Sequence, residues 1–133
     1  MPWNGHMAST ERDNAADLDR ARQVLYDAGA AELERRPWQP PGCPAADAEL
    51  VRYAAWVARE PDAGPQVLAA GLRLLASARS ELEQIEAGLL FAARGAGMTW
   101  PQIAGAFGLD SPQAAQQRLN RLQARVTGPI EKV

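Results

Sequence analysis

The sequence predicts an all-α fold, a bundle of helices. Three observations point there. Alanine and leucine dominate the 133 residues, and β-branched residues are sparse, a composition that favours helix over strand. Apolar residues recur at helical rather than alternating spacing. Prolines cluster at 37–44 and at 61 and 65, where they break the chain between periodic stretches. A hydrophobic fraction of 47% is enough for a packed core.

The elements follow in order. Residues 1–9 are set aside as a vector-derived or disordered N-terminus, because Gly5-His6-Met7-Ala8-Ser9 resembles a cloning scar. From Asp17 to Ala28 the residues Leu18, Ala21, Val24 and Leu25 form one apolar stripe, and Gly29 ends the helix. Ala30 to Arg36 add a further turn or two. The run from Pro37 to Pro44 cannot be regular helix, since its prolines remove backbone donors and push the preceding residues toward extended shapes. It reads as a linker, with Trp38 as an anchoring aromatic. A second helix spans about 45–59, with Leu50, Tyr53, Ala54 and Val57 inward and Trp56 beside them.

After the break at 60–65, Pro65 suits the first turn of a third helix, which carries Val67, Leu68, Leu72 and Leu75. Ser80 and Glu83 match a capping box and place a boundary near 77–80; one continuous helix is the alternative. A fourth helix then holds Leu82, Ile85, Leu89, Leu90 and Ala93 and closes at Gly95-Ala96-Gly97. The expected organisation is a helical N-terminal segment at 10–60 and a compact domain at 64–128.

The last third is the most informative. Thr99 and Gln102 form a second capping-box pair, so a short helix starts at Trp100, where Pro101 is tolerated in the first turn. Ile103, Ala104 and Phe107 face inward. Gly108 supplies the left-handed residue that reverses the chain, and Leu109 plugs the turn. Ser111 caps the next helix and Pro112 takes its first position. At 100° per residue, Ala115, Leu119, Leu122 and Val126 fall on one side of that helix. Gln113, Gln116, Gln117 and Asn120 fall on the other, with Arg118, Arg121 and Arg125 on a flank between.

Two short helices around a glycine turn, the second with an outward amide face, make a helix-turn-helix. Amide side chains can pair with adenine edges in the major groove, and arginines can grip phosphates or guanine. The formal charge of −2 is unlike that of a strongly basic nucleic-acid binder. Locally, however, Met98 to Val126 carries three arginines against one acid, Asp110. The acids Glu81, Glu83 and Glu86 read as a solvated helix face. Leu89 onward resembles the helix-turn-helix of small actinobacterial DNA-binding proteins and the DNA-reading region 4 of sigma factors. Ala92-Ala93-Arg94, Gly97-Met98-Thr99-Trp100, Ile103-Ala104, Phe107-Gly108 and Ser111 to Arg118 carry the likeness. Asp110 departs from the pattern as an extra turn residue. The resemblance implies double-stranded DNA as partner, with Pro112, Gln113, Gln116 and Gln117 near base edges. The whole expected contact set is Thr99, Gln102, Ser111, Pro112, Gln113, Gln116, Gln117, Arg118, Asn120, Arg121 and Arg125.

Other chemistries find little support. One cysteine, Cys43, excludes an intrachain disulfide framework, and the single His6 leaves it without a base. No cluster matches a metal site, no glycine run matches a phosphate cradle, and no enzyme constellation or cofactor is expected. No apolar run is long enough to cross a bilayer. The expectation is a cytoplasmic protein that binds DNA in transcriptional control or chromosome organisation, as a homodimer made by the N-terminal helices. The alternative is a protein–protein interaction module, with the transcription machinery as partner.

Overall fold

The computed structural model describes the backbone of residues 2–127 and the side chains of residues 9–125. Five α-helices and one 3₁₀ turn account for the regular structure, with no strand among the described residues. Helix α1 is Pro2–Ala28, followed by a 3₁₀ turn at Ala30–Glu32; α2 is Asp47–Val57, α3 Pro65–Gly95, α4 Trp100–Phe107 and α5 Pro112–Thr127. Helix α1 thus takes in residues 2–9, which the sequence reading set aside. Val126, expected on the inner side of α5, lies outside the described side chains. The chain divides into two compact units, Met1–Arg79 and Ser80–Val133. The division falls inside α3, which has no break at 77–80. The Ser80/Glu83 capping signature is overridden because no glycine or proline interrupts the good helix formers around it.

The first unit closes on three leucines. Leu25 of α1, Leu50 of α2 and Leu74 of α3 are fully buried, with Ala21, Ala30, Ala54 and Ala70 around them. Alanines bring the helices close. A side chain added at Gly71 would put its Cβ only 2.6 Å from that of Ala54, so α2 and α3 touch there through almost bare backbone. Gly29 ends α1 with φ 135°, and the Tyr53 hydroxyl fills the space beside it while donating to the Ala28 carbonyl at 2.9 Å.

This packing corrects two expectations. The buried stripe of α3 in this unit is Ala70, Leu74 and Ala78, while Leu68 and Leu72 face outward. Trp38, expected as the linker's anchor, is 76% exposed rather than buried, and Trp56 is exposed as well.

One polar cluster ties the three helices of this unit. Asp47, whose side chain is only 13% exposed, accepts from Arg22 Nε at 2.8 Å and Nη2 at 2.9 Å and from the Ser77 hydroxyl. The Arg22 fork and the hydroxyl hold the Asp47 carboxyl below the usual aspartate range, against the opposing pull of burial. A depressed carboxylate stabilises the fold in full above the pKa it has when unfolded, and that contribution is lost as pH falls toward the lower folded value. The loss therefore sets in at about pH 5 and runs down through pH 4 and below. Asp47→Asn is expected to cost about 2 kcal/mol at neutral pH. In urea melts the gap from wild type should close as the buffer is taken to acid.

Candidate functional site

The second unit builds a surface helix with its N-terminal end and one side fixed. Helix α3 stops where Gly97 takes φ 88°, letting the Met98 N–H reach back to the Ala93 carbonyl at 3.0 Å. Thr99 then caps α4. Its Oγ1 accepts from the Gln102 N–H at 3.2 Å, and Gln102 Oε1 accepts from the Thr99 N–H at 2.8 Å. Gly108, at φ 72°, ends α4, and the Leu109 N–H donates to the Ala104 carbonyl at 2.8 Å. Ser111 Oγ accepts from the Ala114 N–H at 3.2 Å and starts α5.

The inner side of α5 is locked. Ala115, Leu119 and Leu122 are buried against Ile103 and Ala104 of α4 and against Ala87 and Leu90 of α3. Ala115 and Ala104, both small, let α4 and α5 approach closely. Trp100, Met98 and Leu109 pack around this core, and the Arg94 guanidinium stands 4.7 Å over the Trp100 ring.

Four amides and one cation remain on the outer side. Gln113, Gln116, Gln117 and Asn120 are all exposed, and so is Arg121, one helical turn beyond Gln117. Among the described residues Arg121 makes no ion pair. Pro112 and Ser111, at the N-terminal end, are half-buried. Thr99 and Gln102 are committed to the α4 cap by the oxygens that would otherwise reach outward.

The two other arginines behave differently from the sequence reading. Arg118 turns toward α3 and makes a two-pronged ion pair with Glu86, Nη2 to Oε1 at 2.8 Å and Nε to Oε2 at 3.1 Å. It also lies 5.1 Å over the Phe107 ring. The Glu86 hydrogen bonds hold this guanidinium more firmly protonated than usual. Arg125 pairs with Glu83 at 2.6 Å. Glu83 and Glu86 are therefore not a solvated face; they neutralise two of the three α5 arginines. Such half-exposed pairs are worth about 1 kcal/mol or less to stability, but they remove charge from the outer surface.

The acids were missed because their partners lie 32 and 42 residues away. The one available signal was spacing. Glu83 and Glu86 sit on adjacent turns of α3, and Arg118 and Arg125 recur every second turn on one side of α5, in the reverse order.

Elsewhere, Cys43 is free and exposed. No group of three or more His, Cys, Asp or Glu among the described residues could hold a metal ion. No helix among the described residues is long and apolar enough to cross a membrane. No family model matches the chain, and no curated protein or solved structure matches it either.

Proposed function

We propose that the second unit is a helix-turn-helix that binds double-stranded DNA, with α5 in the major groove. One observation carries this reading: Gln113, Gln116, Gln117 and Asn120 all point outward from a helix whose opposite side is packed into a core. Such amides can donate to and accept from adenine N6 and N7. Arg121 beside them is suited to a phosphate or a guanine. The role this implies is transcriptional control or chromosome organisation in the cytoplasm.

A second reading has its own support. From Ser80 to Thr127 the unit carries four arginines against four acids, and two of the α5 arginines are already paired. A surface with so little net charge also suits a protein partner, such as a component of the transcription machinery, that docks on the same amides.

Anisotropy of a labelled mixed-sequence duplex, titrated with the chain over a salt series, separates the two. DNA binding predicts affinity that falls with salt, with a shallow log–log slope of about −1 to −3 because few cations are unpaired. Absence of binding at low salt would favour the protein partner. The Glu–Arg pairs add a sharper expectation. Glu83→Gln frees Arg125, so duplex affinity should rise several-fold and the slope should steepen by about 1.

A further inference from the structure

We infer that the DNA element taken by α5 is a run of about four A·T pairs, read at adenine by Gln113, Gln117 and Asn120. The inference rests on the DNA-binding reading and names the base class within it. Rotation sorts the outer side of α5 more finely. At 100° per residue, Gln113, Gln117, Asn120 and Ala124 fall within a strip about 60° wide. All four are exposed. Gln116 lies to one side of the strip and Arg121 to the other. From Gln113 to Asn120 the strip runs about 10 Å, at about 1.5 Å per residue. That length covers about three base-pair steps of about 3.4 Å each.

Three observations select adenine over guanine. First, the amides of the strip are unspent. Among the described residues Gln113, Gln117 and Asn120 make no side-chain hydrogen bond. Those of Gln23, Gln39 and Gln102 are spent on Asp27, the Cys43 carbonyl and the α4 cap. An amide sets a donor beside an acceptor, which matches N7 and N6 of adenine. Guanine offers two acceptors in that place and leaves the amide oxygen facing one of them. Second, the guanidinium groups that would read guanine are withdrawn. Glu86 holds Arg118 in a fork, Glu83 holds Arg125, and α5 carries no lysine. Third, Arg121 lies off the strip, placed for a phosphate on the flanking strand rather than for a base edge. Beyond Asn120 the strip continues with the Ala124 methyl, an apolar group suited to the C5-methyl of thymine.

Anisotropy with two short duplexes of identical flanks tests the inference on the full chain at low salt. One carries about four consecutive A·T pairs at its centre and the other G·C pairs. The A·T duplex should bind about 10- to 100-fold more tightly. Replacing its adenines with 7-deazaadenine removes the N7 acceptor while keeping the pairing and the minor groove, and should abolish most of that preference. Gln117→Arg places a guanine reader in the strip and should lower the A·T to G·C ratio about 10-fold, with unchanged far-UV circular dichroism. Equal binding of the two duplexes overturns the base assignment and leaves the DNA reading standing. So does a preference that survives 7-deazaadenine, which would locate the readout in the minor groove, or a ratio that Gln117→Arg leaves unchanged. Failure to bind either duplex removes the DNA reading and this inference together.

Discussion

Leu74→Ala is expected to cost about 3–5 kcal/mol, the range for deleting a fully buried leucine where the surroundings cannot collapse into the space. Leu74 has no exposed surface and lies among Leu25, Leu50, Ala21, Ala54 and Ala70. Its neighbours are mostly alanines and backbone already at close contact, as the tight approach of Gly71 to Ala54 shows. Little can move to refill the cavity. A domain of this size has roughly 5–15 kcal/mol of stability in total, so the variant should unfold at much lower urea concentration when followed by far-UV circular dichroism. Leu72→Ala, two residues away on a 69% exposed side chain, should shift the urea midpoint hardly at all.

Gln117→Glu is expected to weaken duplex binding about 10- to 100-fold, the worth of one two-pronged base contact. The substitution removes the amide donor and sets a negative charge beside the phosphates, opposite in effect to the nearby Arg121. The thermal midpoint should stay within experimental error, because Gln117 is exposed and its removal leaves no buried group unsatisfied. Equal loss of affinity on Gln66→Glu, an exposed position of the first unit, would point to a general charge effect rather than to the outer amides.

Much of the second unit was legible in the sequence because its signals are local. Thr99 with Gln102, Gly108, and Ser111 with Pro112 each fix a helix end through hydrogen bonds or dihedrals within four residues. Helices α4 and α5 begin where these residues place them. The outer amides followed from the rotation of α5 alone. The linker around Pro37 to Pro44 was legible for the same reason, since proline acts on its own backbone.

Helix α3 was not legible in this way. Periodicity assumes that the largest apolar residues face the core, yet here Ala70, Ala78 and Ala87 are buried while Leu68, Leu82, Ile85 and Leu89 are exposed. Leu74 and Leu90 are buried too, but small residues take the other inner positions, where helices in close contact leave no room for leucine. Local patterns cannot distinguish a stripe that faces its own core from one left open to solvent. The ion pairs of Arg118 and Arg125 escaped for a related reason: a charge pattern read within one helix does not show which distant element lies opposite.

The central claim is that the outer side of α5 lies against DNA. It is tested most directly by the side-chain amide resonances of an isotopically labelled chain as duplex is added. The account predicts that the NH₂ signals of Gln113, Gln116, Gln117 and Asn120 shift together with the duplex, while those of Gln23 and Gln39 in the first unit stay still. If the α5 amides remain unmoved under conditions where the duplex is bound, another surface holds the DNA and the assignment made here is wrong.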